Sequence, residues 1–134
     1  MFLTEEATNQ NFKTAYRYVE TNYAYLFHES LAQVAFVRTL HVPGVGKLHR
    51  AGGLHARIGG QDGFSVISVR DAAEYDAKTY VEILVHELTH LRQWTSGRAM
   101  TLTEAECEAE AYPVGVNAAN LFEYQDLQAA LRGA

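Results

Sequence analysis

The chain has 134 residues, 48% hydrophobic and 20% charged, a balance that suits one globular domain over residues 1–134. Its net charge of −5, with no run of lysine or arginine, argues against direct nucleic-acid binding. No apolar run nears the roughly 20 residues that span a bilayer, and "MFLTEEATNQ" has neither part of a secretory signal.

The single cysteine, Cys107, excludes an internal disulfide, so the expected location is cytoplasmic, with no membrane partner. Residues 5 to about 21 place Phe12, Ala15, Tyr16 and Val19 on one face of an amphipathic helix. "VAFVRTLHV" is rich in β-branched and aromatic residues and stops at Pro43-Gly44, which predicts a strand. "GLHARIGGQDGFSVISV" alternates on both sides of "GGQDG" and predicts a hairpin with a glycine-rich loop.

From Asp71 the period turns helical. Asp71 and Glu74 form a candidate capping pair, and the main helix is expected from about Ala77 to Thr95, ending at Gly97. Thr103 and Glu106 fit a capping box opening a second helix, expected to stop at Pro113. "NAANLFEYQDLQAALR" makes a third, its face running through Leu121, Tyr124, Leu127 and Leu131. The predicted class is α+β: an N-terminal helix, a small three-stranded sheet, then three helices.

Chemistry concentrates in "VEILVHELTHLRQW". Residues four apart share a helix face, so His86 and His90 can offer ring nitrogens to one ion, with Glu87 beside them to activate a water. Two histidines and a carboxylate suit one zinc ion, leaving a fourth position for water. The plain alternative is a buried helix with a satisfied histidine pair. Against it, Ile83, Leu84, Val85, Leu88 and Leu91 make this the most apolar helix, and buried charges are normally paired or metal-bound.

A third ligand is expected from "EAECEAEAY". Glu106 has a role in the capping box, and Glu104 sits in the first turn. Glu110 neighbours Glu106 and Cys107 on a mixed face. Glu108 is favoured because its helical neighbours include Ala105, Ala111 and Tyr112, a mostly apolar patch in which a carboxylate needs a partner. Glu104 and Glu110 stay open as alternatives.

"HELTHLRQW", followed by "ECEAEAY" with Glu108 18 residues beyond His90, resembles the gluzincin-type zinc metallopeptidases, above all small single-domain members. The resemblance implies a zincin-like fold, a peptide or protein substrate, His86, His90 and Glu108 as zinc ligands, and Glu87 as general base. It further implies that zinc polarises a peptide carbonyl while Glu87 takes a proton from the attacking water and delivers it to the leaving amine. Two departures stand out. Tyr112 lies four residues after Glu108, where larger gluzincins often carry an aspartate that orients a histidine, a role that would pass to Glu104 or Glu82. Arg92 stands where a hydrophobic residue is common.

Tyr80, Tyr112 and Arg92 are candidate donors to a developing oxyanion. "FSVISV" or "LHARI" is the candidate edge for aligning an extended substrate. His28, His41, His49 and His55 have no ligand spacing and read as ordinary surface or strand residues, and Trp94 as an anchor for the end of the helix. "HVPGVGK" is a turn without the full pattern of a phosphate loop. Two other readings compete with a general peptidase. One is a non-catalytic zincin-like module that binds or regulates a protein partner. The other is an antirepressor-type protease that cuts one partner.

Overall fold

The computed structural model describes residues 2–3, 9–27, 32–37, 40–42, 46–48, 52–58 and 64–133. In chain order the elements are β1 (Phe2–Leu3), α1 (Gln10–Asn22), a 3-10 turn at Ala24–Leu26, β2 (Ala32–Val37), β3 (Leu40–Val42) and β4 (Gly46–Leu48). They continue with β5 (Gly53–Ile58), β6 (Phe64–Arg70), α2 (Ala77–Thr95), a 3-10 turn at Arg98–Met100, and α3 (Glu104–Arg132). The class is α+β, with three helices.

The main sheet has the order β1-β2-β6-β5. β1 and β6 run parallel to β2, whereas β5 is antiparallel to β6 and forms the edge. The expected β5–β6 hairpin is present, while its "GGQDG" loop lies outside the described residues. The expected three-stranded sheet needs two corrections. The two-residue β1 adds a fourth strand, and the single strand expected over "VAFVRTLHV" is divided between β2 and β3. β3 leaves the main sheet to pair with β4 in a separate antiparallel ribbon. Strands of two or three residues are too short to show a period-two pattern.

Along β6, Ser65, Ile67 and Val69 alternate onto one buried face, and Val34 of β2 joins it opposite Ile67. Helix α1 covers that face with Phe12, Ala15 and Val19, and α2 with Tyr80, Val81, Leu84, Val85, Leu88 and Leu91. Fully burying each such Leu or Val contributes about 1.5–3 kcal/mol, so α2 is the member that holds the layers together. Phe12 stacks on Phe36 at 4.2 Å, and Tyr80 meets Phe12 edge-on at 5.6 Å.

Helix α2 begins and ends where its pattern predicts, but with a different cap. Asp76, not Asp71, is the N-cap, accepting from the Thr79 N–H at 2.8 Å and the Thr79 hydroxyl at 2.7 Å. The Asp71 N–H instead donates to the Val37 carbonyl at 2.7 Å, and Ala72–Tyr75 closes a turn before the helix starts. At the far end Gly97 takes φ 80, the left-handed conformation that stops a helix.

The Thr103–Glu106 capping box opens α3 as expected. The two C-terminal helices expected on either side of Pro113 are one continuous helix. Proline inside a helix costs about 3 kcal/mol, and packing of α3 on α2 offsets this. The packed stripe is Ala111, Gly115, Ala118 and Ala119, with Phe122 partly buried. Leu121, Tyr124, Leu127 and Leu131, the residues that mark the helical spacing, are exposed. Small residues win because they let the helix axes approach. A Cβ at Gly115 would lie 2.8 Å from the Glu82 carbonyl oxygen and 3.2 Å from the His86 Cβ.

Candidate metal centre

The approach of α3 to α2 puts Glu108 opposite the two histidines. His86 Nε2 lies 3.1 Å from Glu108 Oε2, His90 Nε2 lies 2.8 Å from Glu108 Oε1, and the two Nε2 atoms are 3.2 Å apart. One potential ligand atom from each of the three residues thus lies within 4.8 Å of the other two. Glu104 and Glu110 are outside this cluster. Glu104 lines the neighbouring cavity, and Glu110 pairs with Arg98 while accepting from Gln93 Nε2 at 3.4 Å. Glu108 is on the face of α3 turned to α2, as its neighbours predict, but its carboxylate opens onto the cleft and is 55% exposed. The burial argument for choosing it therefore fails, although the helix face is right.

The donor set fits a divalent ion. Tetrahedral zinc with ligands at about 2.0–2.1 Å needs donors about 3.3 Å apart; the two Nε2 atoms are 3.2 Å apart, and each lies 2.8–3.1 Å from a different oxygen of Glu108. Burial is the leading cause that holds His86 below its usual imidazole pKa, which keeps it neutral, the form that binds a metal. His90 Nδ1 meets Gln93 Oε1 at 2.8 Å. The hydrogen-bond partner of His90 Nδ1 is thus Gln93 on its own helix, and not Glu104 or Glu82. The signal was available in the spacing, since His90 and Gln93 are three apart on α2 and share a face.

Glu87 is beside the cluster but not in it. It is 8% exposed, and burial pushes its carboxyl up from 4.5 to about 7, partly opposed by His90. The His55 backbone N–H of β5 donates to this carboxyl. Gly53 permits the contact, because a Cβ there would lie 3.1 Å from Glu87 Cγ and 2.7 Å from Ile83 Cγ2. His55 itself, read as an ordinary strand residue, lines the site, with its Nε2 2.9 Å from the buried Ser65 hydroxyl.

Two cavities flank the cluster and share Gly53, Glu87 and Glu108. One, of about 470 Å³, is walled by Leu54, Trp94, Ala99 and Leu102, while the other, of about 340 Å³, is walled by Glu82, Ile83 and Tyr112. Trp94 thus stands at a cavity wall, half-exposed, rather than anchoring the helix end. Of the oxyanion candidates, Tyr80 is removed, being fully buried with its hydroxyl exchanging hydrogen bonds of 3.2 Å with the Ala72 N–H and carbonyl. Arg92 is exposed and lines neither cavity. Tyr112 remains at the mouth beside His86 and Glu87. Of the candidate edges, "FSVISV" is excluded because β6 is paired on both sides, which leaves "LHARI".

The side chains of His28, His41 and His49 lie outside the described residues. No described helix is long and apolar enough to cross a membrane. The chain matches no protein-family model, no curated protein and no solved structure.

Proposed function

We propose that the chain is a zinc-dependent peptidase of gluzincin type with a zincin-like fold, acting in the cytoplasm on a peptide or protein. His86, His90 and Glu108 hold the ion, and Glu87 is the general base. A zinc ion held there supplies a Lewis acid for a peptide carbonyl and lowers the pKa of a water to about 7.

The remaining chemistry belongs to the protein. Glu87 takes a proton from the attacking water at its carboxylate and returns it to the leaving amine nitrogen. Burial raises this carboxyl in the metal-free protein, towards the range that suits both transfers. The His55 N–H keeps that carboxyl in place. Tyr112 is the candidate donor to the developing oxyanion. β5 pairs only with β6 among the described strands, so its outer edge can align an extended substrate by adding a strand.

Glu87 carries this reading. A purely structural site needs two histidines and a third ligand. It has no use for a further buried carboxyl between two cavities, which burial destabilises when charged. The test is Glu87→Gln assayed against unfolded protein, with zinc content measured on the same sample. Turnover falling about 10²–10⁴-fold with zinc retained supports a general base. A parent that holds zinc and cleaves nothing would turn the domain into a partner-binding module.

A further inference from the structure

Beyond the three candidate ligands, one buried amide links His90 to the start of α3. Gln93 is 2% exposed and lies between α2 and the start of α3. Its Nε2 donates to the Cys107 carbonyl at 3.0 Å and to Glu110 Oε1 at 3.4 Å. Both partners are acceptors, so only the NH2 end of the amide can face them. Arg98 pairs with the other oxygen of Glu110 and holds that carboxylate from outside.

The amide's orientation then dictates the histidine. With Nε2 committed to α3, Gln93 Oε1 faces His90 Nδ1 at 2.8 Å. An amide oxygen can only accept, so Nδ1 must carry the hydrogen, and in the neutral ring Nε2 is left as a bare lone pair. That lone pair points at Glu108 Oε1, 2.8 Å away, and at His86 Nε2, 3.2 Å away. Lone pair against ionised carboxylate is repulsive unless a proton or a metal ion lies between them, so this tautomer leaves Nε2 ready to take either.

We propose that Gln93 is the positioning residue that fixes His90 as its Nδ1–H tautomer and aims its Nε2 lone pair at the point shared with His86 and Glu108. The significance for an ion rests on the metal-site reading above. The tautomer itself does not. Because Gln93 is neutral, it orients the ring without adding negative charge, unlike an aspartate in that role.

The experiment is long-range 1H–15N correlation on the metal-free protein at pH 8, with zinc affinity measured by chelator competition, for the parent, Gln93→Leu and Gln93→Met. In the parent, His90 is expected to carry its hydrogen on Nδ1. In folded variants it should move to Nε2, with zinc affinity falling about 10–100-fold, the usual loss when a ligand's outer partner is removed. A parent with the hydrogen on Nε2, or a folded variant binding zinc as tightly as the parent, would overturn the proposal. Should both variants fail to fold, the parent's tautomer decides alone. A parent that takes up no zinc would defeat the metal reading, and the same spectrum would still judge Gln93.

Discussion

His90 Nε2 and Glu108 Oε1 lie 2.8 Å apart across the seam between α2 and α3, although Glu108 is more than half exposed. With the carboxylate in solvent, this contact changes folding stability by no more than about 1 kcal/mol in either direction. On the proposed metal reading, its value lies in completing a set of three ligands. Glu108→Ala is therefore expected to leave metal-free stability within about 1 kcal/mol of the parent. Zinc should fall from about one ion per chain to a small fraction after identical purification. Elemental analysis reads the metal, and urea unfolding reads the stability. Full zinc in the variant would send the search for the third ligand back to Glu104.

Gly115 sets the helix spacing on which that geometry depends. In Gly115→Ala, the new Cβ would meet the Glu82 carbonyl oxygen at 2.8 Å, and this is backbone that cannot swing away. Better helix propensity returns about 1 kcal/mol, while overpacking of this kind costs about 1–3 kcal/mol. A modest net destabilisation in urea follows. The more telling effect is on the ligands, since α3 must shift relative to His86. Zinc affinity should weaken by about 10-fold or more. Unchanged affinity with unchanged stability would show that the seam is looser than described.

In the metal-free protein, Glu87 imposes a pH dependence on stability. Its carboxyl is raised from 4.5 unfolded to about 7 folded, chiefly by burial. The folded state thus binds this proton more tightly, so the contribution of Glu87 to stability is greatest below 4.5, falls as pH rises to about 7, and is level beyond. The loss is on the order of 3 kcal/mol at 1.36 kcal/mol per pKa unit. Glu87→Gln keeps the shape and removes the charge. It should be more stable than the parent at pH 8 by about 2–3 kcal/mol and nearly equal at pH 4. Urea midpoints at the two pH values, with chelator present, are the readout. An equal difference at both would rule out ionisation as the cause.

What could be read from the chain was what local rules determine. The ends of α2 follow from its apolar period and Gly97, and the start of α3 follows from Thr103 and Glu106. The β5–β6 pair follows from alternation. His86, Glu87 and His90 are brought together by helix periodicity alone. What stayed hidden depends on partners distant in sequence. Nothing local shows that Gly115 meets the Glu82 carbonyl, that Gln93 Nε2 reaches the Cys107 carbonyl, or that β5 rather than β6 is the edge. The largest error, placing a helix end at Pro113, came from trusting a local breaker over tertiary packing.

That same proline gives a decisive test of the continuous α3. Pro113 has no N–H, so the Ala109 carbonyl lacks its usual partner four residues on. Both residues are exposed, so water can reach that carbonyl and soften the penalty. If α3 is already continuous, Pro113→Ala restores a hydrogen bond without moving Glu108. It should then stabilise the protein by about 1–3 kcal/mol and leave zinc affinity within a few-fold. If the helix instead ended at Pro113, the substitution would straighten a bend between Glu108 and the Gly115 seam. Zinc affinity would then drop while helix content rose. Circular dichroism together with chelator competition separates the two outcomes, because only the second links more helix to a weaker site.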